Sequence, residues 1–111
     1  MKLKIPKSNL LYIIFIGIYA FIINWISGNL GVVPIDTFAF FDTGFSILKG
    51  KYPVRDFWAF SGLLIDYLQA IFFLIFGFNW AAYVIHASFF NILISLVVFF
   101  TFTNLNLNKI Y

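Results

Sequence analysis

The chain has 111 residues, 63% hydrophobic and 10% charged, with a net charge of +3 and a mean hydropathy of +1.00. Soluble domains carry about a quarter charged residues, and a chain this short encloses little core by itself, so the composition indicates an all-α integral membrane protein whose apolar surface is covered by lipid or partner helices. The basic residues form no stripe of the kind that binds nucleic acid, and the absence of cysteine excludes disulfides and thiolate metal sites.

Three segments are long enough to cross a bilayer, which takes about 20 helical residues. The first, "LLYIIFIGIYAFIINWIS", covers residues 10–27. "MKLKIPK" ahead of it resembles the charged region of a signal peptide. The apolar run is longer than such peptides use and no small-x-small cleavage site follows, so a retained anchor helix is expected. Lys2, Lys4 and Lys7 favour a cytoplasmic N-terminus. The loop over residues 28–58 then faces outward.

That loop holds Asp36, Asp42 and Asp56, three of the four acids, together with Lys49, Lys51 and Arg55. Asp36 stands at an N-cap position before Phe38, Phe41, Phe45 and Leu48, whose spacing of three and four puts them on one helical face. Gly50 follows as a terminating glycine. The pattern predicts an amphipathic helix over 36–49 lying along the outer membrane surface. Asp42 points about 240° away from Asp36 at 100° per residue, so the two do not converge on one ligand. "KYPVRDFW" reads as an interfacial turn in which Tyr52 and Trp58 anchor and Arg55 pairs with Asp56.

The second segment covers 61–78, and the third, over 80–102, follows "GFNW", read as a tight cytoplasmic turn that leaves the C-terminus outside. Asp66 lies about five residues into the second segment, where a carboxylate either snorkels to water or faces a cavity or partner helix. Gly62, Asp66, Gln69, Phe73 and Gly77 form a small-and-polar stripe that should face protein, and Ser88, Asn91 and Ser95 form a second. These stripes call for helices beyond the chain. His86 lies on another side and reads as a hydrogen-bonded packing residue.

Read together, "PIDTFAFFDTGFSILKGKYPVRDFWAFSGLLIDYLQAIFFLIFGFNWAAYVIH" resembles the N-terminal region of GT-C-type integral-membrane glycosyltransferases, the polytopic enzymes related to protein mannosyltransferases and lipid A aminoarabinose transferases. The matching elements are a leading acid (Asp36), "L-x-G" (Leu48 to Gly50), "Y-x-x-x-D" (Tyr52 to Asp56), a span opening at Gly62 to Leu64 and "l-f-G" at Ile75 to Gly77. Thr37 stands where many members have Glu, and Leu63 where they have Pro. Such enzymes continue for several hundred residues, so this chain would supply the first three spans.

The resemblance implies transfer of a sugar from a polyprenyl-phosphate donor to an acceptor on the extracytoplasmic side, in a bacterial inner membrane. Asp36 would be the general base, Asp56 would shape its pocket, and Arg55 and Lys51 would be candidate phosphate ligands. No cofactor is implied, and "Asp-Thr" supplies one carboxylate where a metal-using relative wants more. Two other readings stay open: a small non-enzymatic membrane protein that joins a larger complex through the Asp66 face, and a transporter fragment with Asp66 as an ion site. The partners expected are the bilayer, the lipid-linked sugar and the missing helices or a partner subunit.

Overall fold

The computed structural model describes residues 7–31, 34–59 and 62–104. Four helices follow in order: α1 over Lys7–Leu30, α2 over Pro34–Leu48, α3 over Leu63–Phe76 and α4 over Trp80–Asn104. At 1.5 Å per residue, α1 and α4 reach about 36 Å, enough to cross a hydrocarbon layer of about 30 Å. Both are apolar along their length. α3 has 14 residues and reaches only about 21 Å, so the span expected over 61–78 is a shorter helix.

Local chemistry sets the boundaries. Pro34 opens α2, where its fixed φ suits the first helical position. Asp36 is therefore the third residue of the helix rather than its cap, and its side chain lies outside the described residues. At the other end the Lys51 amide donates to the Ser46 carbonyl (3.1 Å) and the Gly50 amide to that of Ile47 (2.9 Å). With Gly50 at φ 77°, this is a Schellman stop. Asn79 joins α3 to α4. Its amide nitrogen donates to the Phe76 carbonyl (2.9 Å), while its oxygen accepts the Ala82 amide proton (2.8 Å). One side chain thereby ends one helix and caps the next.

α1 and α4 run antiparallel. The Trp80 indole donates to the Gly28 carbonyl (3.0 Å), the Asn24 amide donates to the Ser88 hydroxyl (3.0 Å), and Asn91 donates to the Asn24 oxygen. Further along, Gly17 faces Ile92. The α3–α4 turn therefore lies beside the exit of α1. Charge counting places these two at opposite membrane faces, whereas here they share one end of the helix pair. Charge counting orients α1 alone and is blind to a helix too short to cross.

α2 lies against α3, and the seam is small and polar. Thr43 and Ser46 are buried on it. A Cβ on Gly44 would stand 2.6 Å from Gln69 Cγ and 3.2 Å from Phe73 Cε2. Phe41 and Phe45 both reach Phe78, with centroids at 4.7 and 4.3 Å. Phe38 and Leu48, placed by spacing on the same helical face, are exposed. Apolar residues of such a chain can face lipid at no cost, and the groups that need protein around them are the small and polar ones.

Candidate functional site

The helices bring the chosen residues together in two places. The first is the loop after α2. Arg55 donates through Nε and Nη2 to the two oxygens of Asp56, each at 2.8 Å, the bidentate form of the pair. The Tyr52 amide donates to Asp56 Oδ2 (2.8 Å), the Asp56 amide returns a bond to the Tyr52 carbonyl (2.9 Å), and the guanidinium lies 4.3 Å from the Tyr52 ring centre. Val54 at the apex has φ 72°, a left-handed value rare for a β-branched residue, which the closed bonding around it holds.

The Arg55 side-chain hydrogen bond, then the Tyr52 amide, hold Asp56 down to a pKa of about 2 from 3.8, and Asp56 in turn raises that of Arg55. Asp56 is thus a committed carboxylate that shapes the loop, and the Arg55 fork is already engaged. Lys51 is exposed beside them and adds a weaker pull on Asp56. An open hollow of about 560 Å³ lies over residues 54–59.

The second place is the junction of α2, α3 and α4. Asp66 has no exposed surface and accepts a hydrogen bond from Thr43 Oγ1 at 2.8 Å. The carboxyl group neither snorkels to water nor waits for a helix from outside: α2 of the same chain covers it. The expectation that this stripe calls for helices beyond the chain is corrected, because Thr43 and Gly44 supply a polar contact and a close approach. Beside Asp66, Gln69 is 1% exposed, and neither atom of its amide has a hydrogen-bond partner. His86 packs between Phe72 and Phe90 with ring centres at 5.1 and 5.0 Å. It packs among aromatic rings, but the hydrogen bond expected of it is not found at its buried Nε2. An unsatisfied buried polar group costs about 1–3 kcal/mol.

These side chains border a cavity of about 290 Å³ whose walls include Phe40, Ile65, Tyr83, Phe90, Asn91 and Ile94. Among the described residues no three His, Asp or Glu side chains gather as metal ligands. Thr43, Gly44 and Asn24 escaped the sequence reading. The available signal was a small or polar residue interrupting an aromatic or aliphatic run, in "FFDTGF" and "IINWIS".

Asp36 sits on the first turn of α2, about one turn before Phe40 of the second cluster. Comparisons with protein families, curated proteins and solved structures return no match, so the chain's chemistry rests on its own residues.

Proposed function

We propose that the chain is the membrane-inserted N-terminal part of a glycosyltransferase that moves a sugar from a polyprenyl-phosphate donor to an acceptor outside a bacterial inner membrane. One observation carries the reading. The three glycines of the sequence pattern, Gly50, Gly62 and Gly77, all stand at helix boundaries with φ of 77°, 97° and 82°. Only glycine takes such angles cheaply. The pattern is then a set of chain reversals that fold an acid-bearing helix back onto α3.

In this reading α1 and α4 cross the bilayer and α3 enters it from the side of the α3–α4 turn. Asp36, on the first turn of α2, accepts the proton of the acceptor hydroxyl as its oxygen bonds to the anomeric carbon. The bond from that carbon to the lipid phosphate breaks, and the electron pair leaves with the phosphate. Asp56, tied to Arg55, holds the loop beside α2 and takes no proton. Phosphate ligands come chiefly from chain beyond these 111 residues, with Lys51 as a nearby cation.

The test is sugar transfer by membranes carrying the longest native product. Asp36→Asn should lower transfer at least about 100-fold, the low end of general-base effects, with membrane insertion unchanged. Full activity in that variant would remove Asp36 from the mechanism.

A further inference from the structure

The middle of α4 carries a polar group that its own chain uses only in part. From Trp80, where α4 starts, Asn91 lies about 16 Å along the axis at 1.5 Å per residue, close to the middle of a hydrocarbon layer of about 30 Å. It is exposed there. Its amide donates one proton to Asn24 Oδ1, and among the described residues no hydrogen bond reaches its own Oδ1. A carboxamide has two donor hydrogens and an accepting oxygen, so one N–H and the oxygen are left over. Beside the group, α1 and α4 leave a hollow of about 330 Å³ bordered by Tyr19, Ser27 and Ser95. Lipid tails offer neither donor nor acceptor, and polar side chains at this depth face protein.

The same face continues along α4. Ile94, Val98 and Thr101 follow Asn91 at steps of three, four and three, the spacing that keeps one seam toward a partner helix in left-handed packing. Ile94 is 60% and Val98 47% exposed. The Thr101 hydroxyl donates to the Val97 carbonyl (2.8 Å), so it brings no idle donor to the seam. A single Asn at an inward position of such a seam sets register and strand number.

We infer that α4 pairs with α4 of a second copy of this chain, about a two-fold axis along the membrane normal, with the two Asn91 carboxamides bonded to each other. Each remaining Nδ2–H donates to the other's Oδ1. The carboxamide is its own complement, and two copies inserted the same way bring it to the same depth. A different helix would have to carry a matching group at that level. The contact is isologous, the kind that closes on two copies. It is independent of the transferase reading, and Asp36→Asn leaves it untouched.

The experiment uses the full chain in phosphatidylcholine liposomes, with single cysteines introduced into a chain that has none and disulfides driven by copper phenanthroline. Ile94→Cys and Val98→Cys should each give a covalent dimer, because facing seam positions come within the roughly 4.4–6.8 Å between Cα atoms that a disulfide needs. Val97→Cys, 65% exposed on another side of α4, should give little, and the pattern should persist as added lipid dilutes the protein. Energy transfer between labelled copies follows association over the same dilution. Asn91→Leu should weaken it about tenfold, the weight of two hydrogen bonds in a bilayer. Asn24→Leu also breaks the contact between α1 and α4 but leaves Asn91 whole, and should associate as the parent does. The cross-linking pattern keeps the test decisive if Asn91→Leu fails to insert.

Equal disulfide yields at 94, 97 and 98 would overturn the proposal, because random collision gives that result. A monomer at every dilution would overturn it too. Equal weakening by Asn24→Leu and Asn91→Leu would trace the loss to the fold of one copy and remove the seam. In native membranes, a cross-link from Ile94→Cys to a different protein and none to a second copy would give the seam to that partner instead.

Discussion

The seam between α2 and α3 can be tested at Gly44, where two effects of known size oppose one another. Alanine in place of glycine inside a helix favours folding by about 1 kcal/mol. The added Cβ would, however, stand 2.6 Å from Gln69 Cγ, 3.1 Å from Gln69 Cβ and 3.2 Å from Phe73 Cε2. These atoms are the root of one side chain and the ring of another, so neither moves aside freely, and overpacking of this kind costs about 1–3 kcal/mol. The seam should therefore loosen by about 1 kcal/mol, or roughly fivefold in the undocked population.

The assay uses the absence of native cysteine. Ser46, buried on the same seam, is replaced by Cys as the sole thiol, and its rate of maleimide labelling reports undocking. Gly44→Ala should label about fivefold faster than the Ser46→Cys parent, and Gly44→Val on the order of thirtyfold faster. Slower labelling in Gly44→Ala would show that helix propensity wins and the close approach is not there. Unchanged labelling in Gly44→Val would refute the seam itself.

Glycines on the α1–α4 contact should split in sign. Gly28→Ala meets Val84 Cγ1 at 2.9 Å and should lower the thermal midpoint. Gly17→Ala meets only Ile92 Cγ2 at 3.9 Å and should raise it, by up to about 1 kcal/mol of stability. Asp56 is depressed to about 2 from 3.8, so the order it gives the loop is complete above pH 3.8 and is lost as pH falls through about 2. Arg55→Gln should return its carboxyl ¹³C titration toward the ordinary value. Finally, impermeant maleimide should reach Leu30→Cys and Ala81→Cys from the same side of the membrane, and labelling from opposite sides would contradict the antiparallel pair.

Much of the helical order was legible in the sequence, for local reasons. Gly50 announced the end of α2 and "GFNW" the turn into α4, because both are set by neighbouring backbone and one capping side chain. The stripe through Asp66 and Gln69 was visible as protein-facing, and it is enclosed. What covers it was not visible. The eye for periodicity selects Phe38 and Leu48, which are exposed, and passes over Thr43 and Gly44, which make the contact. Where lipid solvates apolar side chains, hydrophobic spacing marks the outside as readily as the inside. The side of the α3–α4 turn was hidden because it depends on a bond across 52 residues, from Trp80 to Gly28.

The Asn24 contacts bear on how α1 and α4 find each other. Ile, Phe and Leu repeat along both helices, and contacts between such side chains alone specify register weakly. Asn24 breaks that degeneracy. It donates to Ser88 and accepts from Asn91, and a slip of one helical turn, about 5.4 Å, forfeits both bonds. The partners lie 64 and 67 residues downstream, which at about 5–20 residues per second is roughly 3–13 s of synthesis. Through that interval the Asn24 carboxamide has neither of these partners, and the arrival of α4 supplies both.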